Sequence, residues 1–298
     1  MSTIRLGPSR LATYESCPRA YAWKYVWRFE AIETSASLVF GAATHQAIEA
    51  SLIASAYRRP CDPVQVFTDK WNAATSSTTV SYSSLWSEED LLHTGQMLMS
   101  RFESSFAESG LSVAFDNQAK PLVERPLEAA IGRGILASIK VDLVAFTDND
   151  DLLVVDAKTP IRFSEEGFSS VSDQGTFYQL VLDAHAKRLG IPEVQGFAYF
   201  EGIKRKVPKT DRGEGPVWQL SDIGKRRSDG EIAEFVEKLQ WVAQAIRAQR
   251  FPKQSRMGFD TPCTQCEYRH ACWDGDMKGL RKRETRTASP ESKKVQSV

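Results

Sequence analysis

Apolar positions along this chain change their spacing near residue 120, which separates a helical first part from a sheet-forming second part. In the first part, segments 40–57, 63–75 and 87–108 have the pattern of helices. An earlier helix is expected to begin at Pro8-Ser9, a typical helix start. Its apolar positions, spaced by three or four residues, are Leu11, Tyr14, Cys17, Tyr21 and Tyr25.

From Pro121 the pattern predicts strands over 121–130, 134–147, 151–158 and 194–202, with a further short strand over 217–220. Helices are expected over 173–189, which Gly190 ends, and over 229–249, which is amphipathic. The stretch 204–215 is rich in Lys, Arg, Gly and Pro and predicts a loop. Together these elements predict an α/β fold, with a central mixed β-sheet flanked by helices and an N-terminal helical insertion at about 50–115.

The composition is that of an ordinary globular protein, with 42% hydrophobic and 26% charged residues in a chain of 298. A single domain is expected over 1–277. The formal net charge is zero, which argues against a uniformly basic nucleic-acid binder, but residues 278–298 contain seven basic residues against two acidic ones. This basic tail is expected to be disordered. Because no apolar run approaches the roughly 20 residues of a membrane span and no signal peptide is apparent, a cytoplasmic protein with no membrane partner is expected.

Two apolar runs, Ile-Lys-Val-Asp-Leu-Val and Leu-Leu-Val-Val-Asp-Ala-Lys, contain the most informative residues of the chain. The first contains Asp142, and the second ends in Asp156-Ala157-Lys158. A turn-rich tract at 147–151 separates them, so we expect adjacent antiparallel strands. Paired in this way, the two carboxylates can converge at one end of the sheet, and Lys158 projects from the same strand face as Asp156.

Two carboxylates suit Mg²⁺ or Mn²⁺. A cation held there beside an ammonium group can orient a water molecule and stabilise charge on a phosphodiester. Against this hypothesis, an Asp at a strand end is common, and the D-x-K pattern arises by chance in many chains. The candidate chemistry therefore depends on support from other parts of the sequence.

Three of the five cysteines form a C-x2-C-x5-C pattern near the end of the chain: Cys263, Cys266 and Cys272. In a chain without a secretion signal, such clustering indicates a metal site rather than disulfides. Cys17 is the best candidate for a fourth ligand, and four thiolates suit either zinc or an iron–sulfur cluster. His270 would replace Cys17 in a zinc site, so the spacing alone leaves both kinds of site open.

Six motifs occur in one order along nearly the whole chain. They are S-x-L-x-x-Y-x-x-C-P from Ser9 to Pro18, G-x-x-x-H-x-x-x-E from Gly41 through His45 to Glu49, Asp142, Asp156-Ala157-Lys158, Q-x-x-x-Y from Gln174 to Tyr178, and the three closing cysteines. Together they resemble the PD-(D/E)XK nuclease superfamily, and within it the RecB-like exonucleases with an iron–sulfur cluster. This branch includes the AddB nuclease domain and the CRISPR-adaptation nucleases.

Two features depart from the family pattern. The second acid is Asp156 rather than the commoner Glu, which shortens the reach to a metal. An alternative register would take Gln179 as the motif glutamine and place Asp183 where the tyrosine belongs. We prefer Gln174, because that register keeps Tyr178.

The resemblance implies a restriction-endonuclease-like core and metal-dependent hydrolysis of DNA phosphodiesters. It implies that Mg²⁺ or Mn²⁺ is held by His45, Asp142, Asp156 and the carbonyl of Ala157. The catalytic residues it implies are Asp142, Asp156, Lys158, Gln174 and Tyr178. It also implies a 4Fe-4S cluster that would join the two ends of the domain through segment 261–274, with the ligands Cys17, Cys263, Cys266 and Cys272.

DNA, as single strands or duplex ends, is the expected partner. Weaker candidates for phosphate contacts are basic residues that could equally be solvated charges: Arg10, Arg19, Lys24, Lys204, Arg205, Lys206 and Lys209. The leading hypothesis is an exonuclease or end-processing enzyme of recombination, repair or phage DNA metabolism, with a helicase or recombination partner for any unwinding. Alternatives are a nuclease that trims DNA before CRISPR integration and a non-catalytic DNA-end-binding subunit, against which the intact acid-acid-Lys set argues.

Overall fold

The computed structural model of the protein describes residues 3–208, 210, 213–254 and 261–283. By its internal contacts the chain divides into two compact units, and the single domain over 1–277 stays a prediction. The larger unit comprises Met1–Ala12 and Glu33–Arg250, and the smaller unit comprises Thr13–Ile32 and Phe251–Val298.

The strands are short at the two ends of the chain and longest in the middle, where long strands were predicted. They are β1 (Ile4–Leu6), β2 (Phe29–Ala31), β3 (Thr34–Ser35), β4 (Val80–Ser81), β5 (Ser112–Val113), β6 (Val123–Ala130), β7 (Ile135–Phe146), β8 (Leu152–Lys158), β9 (Gly196–Ile203), β10 (Val217–Leu220), β11 (Gly224–Lys225) and β12 (Leu280–Lys282).

The helices follow the predicted order. They are α1 (Pro8–Ser16), α2 (Pro18–Tyr21), α3 (Ala36–Ala56), α4 (Pro63–Ser77), α5 (Glu88–Glu108), α6 (Phe168–Val171), α7 (Asp173–Leu189), α8 (Asp229–Arg247) and α9 (Arg269–Trp273), with a π-helix at Ala22–Val26 and a 3₁₀ turn at Pro262–Gln265. The helix predicted from Pro8 is interrupted at Cys17, which has an extended backbone with φ of −159°. The interruption has a local cause, because a residue before a proline is disfavoured in helical conformation, and Pro18 follows.

The larger unit contains a mixed sheet of eight strands, which confirms the predicted fold class. Strands β7 and β8 are antiparallel neighbours, as predicted, and pair from Leu143↔Val155 to Phe146↔Leu152. Strand β9 then runs parallel to β8, and α7 makes the crossover between them.

Helices α3, α4 and α5 cover one face of this sheet. Their N-termini are fixed by side chains, since Asp62 caps α4 and a capping box of Ser87 and Asp90 begins α5. The core between these helices and the sheet includes Phe40, Phe67, Trp71, Phe102, Leu153, Val155 and Ala157. Successive strand residues point to opposite faces, so Val154 and Asp156 of β8 point away from this core.

In the smaller unit, β2 pairs with β12, and Phe29, Glu30 and Ala31 lie opposite Lys282, Arg281 and Leu280. This pairing corrects the predicted disordered tail at its beginning, because residues 280–282 form a strand. The rest of that prediction, including Arg286, Lys293 and Lys294, lies outside the described residues. No helix in the described part of the chain is long and apolar enough to cross a membrane.

Candidate active site

The sheet forks beside the two predicted carboxylates. Strand β6 occupies one edge of β7 from Leu136 to Leu143. On the other edge, β1 pairs with β7 only up to Ala137, and β8 begins to pair at Leu143. Residues 138–142 of β7 therefore have no strand partner on that edge. Asp142 lies at the end of the gap, where its carboxylate accepts a hydrogen bond from the backbone N–H of Ala157 at 3.0 Å.

Three side chains from three elements converge on the open side of this fork. His45 of α3 places its Nδ1 3.4 Å from Oδ2 of Asp142 and 3.7 Å from Oε1 of Glu124. One ligand atom from each of the three residues lies within 4.8 Å of the others. We call this group the acidic triangle. An imidazole nitrogen and two carboxylates are suitable donors for a divalent cation, so the residues present fit such an ion.

Glu124 was missed from the sequence, where it is one polar residue among several on β6. The β6–β7 register places it directly opposite Asp142, between the pairs Val123↔Leu143 and Arg125↔Val141. Its φ of 50° is left-handed, which is unusual for a non-glycine residue in a strand. Such backbone strain costs about 1–3 kcal/mol and concentrates at functional sites. Lys140, on β7, forms an ion pair with the Glu124 carboxylate.

Charges within the acidic triangle shift its protonation equilibria. Burial and the nearby negative charge of Asp156 raise the pKa of Asp142 to about 7. Burial lowers the pKa of His45, but the hydrogen bond that its imidazole donates to Glu124 and the charge of Asp142 outweigh burial and raise it overall. For Glu124, burial raises the pKa, whereas His45 and Lys140 lower it by more. The triangle thus concentrates negative charge that a cation would neutralise.

Asp156 lies opposite Asp142 when the β7–β8 register is continued by one residue, and α7 contacts its side chain. Its side chain is only 1% exposed. Oδ1 accepts hydrogen bonds from Nε2 of Gln174 and, at 2.9 Å, from the hydroxyl of Tyr178, and Oδ2 forms an ion pair with Lys158. Gln174 also donates to Tyr178 at 2.8 Å. We call these four residues the Asp156 cage.

Lys158 and Tyr178 of the Asp156 cage both have raised pKa values and therefore keep their protons. Burial lowers the pKa of Lys158, but Asp156 outweighs burial and raises it, so Lys158 stays protonated. Burial, followed by the charges of Asp156 and Asp142, raises the pKa of Tyr178 well above its ordinary value. Tyr178 is therefore a neutral hydrogen-bond donor. In the alternative motif register, Gln179 exchanges hydrogen bonds with the backbone of Arg227, and Asp183 pairs with Arg226.

The sequence comparisons agree with this geometry. The family model of the PD-(D/E)XK nuclease superfamily matches residues 5–273. This chain belongs to that superfamily. No curated protein matches the nuclease. The solved structures that match include the crystal structure of SSO0001, with 12% sequence identity, a TM-score of 0.32 and coverage of 82% of this chain and 87% of that one, a likeness too low to support an argument.

Of the metal ligands predicted for the nuclease, the structure brings His45 and Asp142 together and adds Glu124. The Asp156 carboxylate instead contacts the other residues of the Asp156 cage. Ala157 donates its backbone N–H to the Asp142 carboxylate. Glu49 of α3, the last residue of the G-x-x-x-H-x-x-x-E motif, also lies near the triangle, because it lines a recess together with His45. The rest of that recess is mostly apolar and includes Ile48, Leu52, Phe102, Phe106, Leu143, Val155 and Phe200.

The four predicted cluster ligands all belong to the smaller unit of the nuclease. Burial and then the charges of Cys17, Cys263 and Cys272 raise the pKa of the Cys266 thiol, so the four thiols are close enough to interact. The alternative ligand His270 is engaged with Asp274, whose Oδ2 lies 3.2 Å from its Nδ1.

The basic residues predicted to contact phosphate lie in different environments. Lys204 does not fit the predicted phosphate contact, because it is only 9% exposed and its ammonium group lies over the ring of Phe40. Burial also lowers the pKa of Lys204. Arg19 donates to the carbonyl of Phe251 at 2.7 Å. The others are placed as follows: Arg10 donates to the carbonyl of Arg5, Lys24 lies over Tyr25, Arg205 pairs with Glu214, and Lys206 pairs with Asp90. Lys209 lies outside the described residues.

Proposed function

We propose that this nuclease is a Mg²⁺- or Mn²⁺-dependent deoxyribonuclease that processes DNA ends, as an exonuclease of recombination, repair or phage DNA metabolism. The observation that carries the proposal is the acidic triangle of His45, Glu124 and Asp142 beside the ion pair of Asp156 and Lys158. The triangle offers a place for a cation, and the lysine offers a fixed positive charge beside it. Each of these charges can stabilise the transition state of phosphodiester hydrolysis.

The divalent cation would be held by His45, Glu124 and Asp142, with Asp156 near enough in register to join them. The imidazole nitrogen shifts the preference of this donor set toward Mn²⁺ relative to an all-oxygen set. A cation bound there would activate a water molecule and offset negative charge on the phosphodiester.

The chain's own residues would prepare the reaction around that ion. Lys158 keeps its proton, so it orients the attacking water and stabilises developing charge but does not act as the general base. Gln174 and Tyr178 hold Oδ1 of Asp156 with two hydrogen bonds, which leaves Oδ2 aimed at Lys158. Ala157 fixes the Asp142 carboxylate through its amide. These contacts arrange the acids before substrate arrives, which reduces reorganisation in the transition state.

A 4Fe-4S cluster on Cys17, Cys263, Cys266 and Cys272 forms the second part of the proposal. The smaller unit fits such a group in one further respect. Nε1 of Trp23 is buried without a hydrogen-bond partner, and the Cys272 thiol is the group it faces. Donors directed at ligand sulfurs are a common feature of iron–sulfur sites. The cluster would link the segment around Cys17 to the segment 261–274 and place the nuclease in the RecB-like branch.

The deciding experiment is cleavage of end-labelled single- and double-stranded DNA by anaerobically purified protein with Mg²⁺, Mn²⁺ or EDTA. Closed circular DNA serves as the control substrate, because an exonuclease cannot begin on it. Metal-dependent digestion of linear DNA alone is expected. Digestion of circles would replace the exonuclease by an endonuclease, and tight binding of ends without digestion would favour the end-binding subunit.

The cluster is tested on the same preparation. We expect a brown protein with about four iron and four sulfide per chain, whose colour is lost in Cys266→Ser but kept in Cys61→Ser. Stoichiometric zinc without iron would contradict the cluster and leave the nuclease proposal intact. Location of the gene beside CRISPR genes would favour a role in trimming DNA before integration.

A further inference from the structure

An exposed apolar surface lies directly after the catalytic lysine. The segment 159–172 leads from β8 to α7, and on it Ile161, Phe168 and Val171 are 60%, 48% and 77% exposed. Ile223, which is 45% exposed, precedes Gly224, whose backbone packs against that of Ser169 so closely that a Cβ would clash with it. We call Phe168, Val171 and Ile223, which α6 and its neighbour Gly224 bring together, the apolar patch. Large apolar groups concentrated in one exposed place mark binding surfaces.

The segment that presents Phe168 is held by several hydrogen bonds from the body of the unit. The buried carboxylate of Glu201 accepts from the backbone and hydroxyl of Ser164, and Asp222 accepts from the N–H of Gly167 at 3.1 Å. Arg227, itself buried, donates to the carbonyl of Ser169 at 3.0 Å. The exposed ring therefore stands on a fixed support, and a binding group fixed in advance loses little entropy when it binds.

A series of aromatic rings connects Phe168 to the Asp156 cage. Phe168 stacks on Tyr199, with ring centroids 5.6 Å apart and planes inclined by 30°. Tyr199 meets Phe197 edge to face at 4.7 Å, and Phe197 contacts Tyr178 at 5.9 Å. Tyr178 donates to Asp156. In addition, Tyr199 lies opposite Asp156 in the β8–β9 register. The patch thus adjoins the catalytic carboxylate rather than a distant surface.

The charge of the patch distinguishes a nucleobase from a phosphate backbone as its occupant. Exposed Arg162 and Lys225 flank the apolar side chains, but Glu165 and Glu166 are exposed on the same segment. A surface with both signs of charge does not attract a polyanionic backbone strongly. A half-exposed aromatic ring does fit the flat face of a base, and that face is available only when the base is unpaired.

We propose that Phe168 is a stacking platform for an unpaired nucleobase of the DNA strand that enters the active site. The substrate is then a single strand or a frayed end rather than an intact duplex. This inference rests on the proposed function and adds to it the strand state of the substrate. Stacking on a ring accepts every base, so the platform confers little sequence preference.

The test compares binding of a fluorescent single-stranded oligonucleotide in EDTA, where no cleavage occurs. Phe168→Ala should weaken binding by about 5- to 150-fold, which corresponds to the value of one stacked base. Phe168→Tyr should keep the affinity, and Trp241→Ala, which removes a 65% exposed ring of α8 outside the patch, should leave it nearly unchanged. Binding of a blunt hairpin duplex should change less than twofold. Equal affinity of Phe168→Ala and wild type for the single strand would overturn the proposal.

Oligonucleotides with one abasic position identify the stacked base. A single position near the strand end should weaken binding to the wild type as much as Phe168→Ala does, and should cause no further loss in that variant. Equal losses at this position in both proteins would overturn the platform. The result is separate from the nuclease proposal: a wild-type protein that cleaves no DNA but binds single strands through Phe168 would refute only the activity, whereas one that cleaves yet ignores the Phe168 change would refute only the platform.

Discussion

Asp142 and Asp156 are the same residue type at facing positions of neighbouring strands, yet their surroundings differ. Asp156 is enclosed: Gln174 and Tyr178 donate to its Oδ1, whereas its Oδ2 forms an ion pair with Lys158 but accepts no hydrogen bond from the described residues. Asp142 lies on the open side of the fork among other acids, and burial raises its pKa to about 7. The difference follows from the elements beside each carboxylate, because Gln174 and Tyr178 of α7 donate to Asp156. His45 of α3 and Glu124 of β6 lie beside Asp142 instead, in the group that would hold a cation.

The largest effect on the cleavage rate is expected when the positive charge of Lys158 is removed. Lys158→Ala should lower the cleavage rate by at least about 10²–10³-fold, because a fixed positive charge at the reacting phosphate is lost. DNA affinity and the circular dichroism spectrum should remain those of the wild type. Single-turnover cleavage measures the rate, and Lys187→Ala, an exposed lysine on α7, is the matched control. Loss of folding in Lys158→Ala would remove its assigned role.

The two carboxylates should respond in opposite directions to the same substitution. Asp156→Asn leaves Lys158 without its charged partner and should destabilise the fold by about 1–3 kcal/mol. Asp142→Asn removes a carboxylate whose pKa is raised, so the metal-free protein should gain up to about 4 kcal/mol at pH 8.

Urea unfolding of both variants in EDTA at pH 8 measures these changes. Both should lose cleavage, so activity does not separate them whereas stability does. If both variants were destabilised equally, the contrast between an enclosed and an open carboxylate would be wrong.

Much of this contrast could not have been predicted from the sequence. The turn-rich tract 147–151 and the flanking apolar runs were sufficient to predict the β7–β8 pair and the proximity of Asp142 and Asp156. The periodicity of α7 was sufficient to place Gln174 and Tyr178 one turn apart. The gap beside Asp142 depends on where strand β1 stops pairing with β7, and β1 is far from β7 in the chain. Short β1 carries no local signal of its parallel pairing with β7.

Glu124 could have been found from one feature of the sequence. The hairpin between β6 and β7 turns at 131–134, where Gly132 and Gly134 have positive φ. Counting outward from a turn centred on Arg133 places Glu124 opposite Asp142, as the register has it. Its left-handed backbone, however, has no signal in the local sequence.

A smaller effect tests whether the open site includes Glu124. Glu124→Gln should weaken Mn²⁺ binding by about 10- to 100-fold, as removal of a metal-site partner typically does. Isothermal titration of the protein without DNA measures the affinity. The control is Glu128→Gln, on the same face of β6, which pairs with Arg5 instead. Unchanged Mn²⁺ affinity in Glu124→Gln would confine the ion to His45 and the two aspartates.

The smallest effect is a pH dependence of thermal stability, of a few °C. A carboxyl group whose pKa is raised in the folded state stabilises the fold below its unfolded value of 3.8, and this stability is lost as the pH rises through about 7. The Tm of metal-free protein should therefore fall between pH 5.5 and 8. Added Mn²⁺ should raise the Tm more at pH 8 than at pH 5.5, because the ion must displace the proton from Asp142.

Asp142→Asn separates this effect from titration elsewhere in the chain. The variant cannot lose a proton at position 142, so its Tm in EDTA should vary less with pH than that of the wild type. The raised pKa of His45 acts in the same direction, since the protonated form is stabilised by Glu124 and loses its charge as the pH rises. Part of the slope should therefore remain in the variant. Identical slopes in the two proteins would mean that Asp142 is as well accommodated as Asp156, and the open half of the site would then not be poised for a cation.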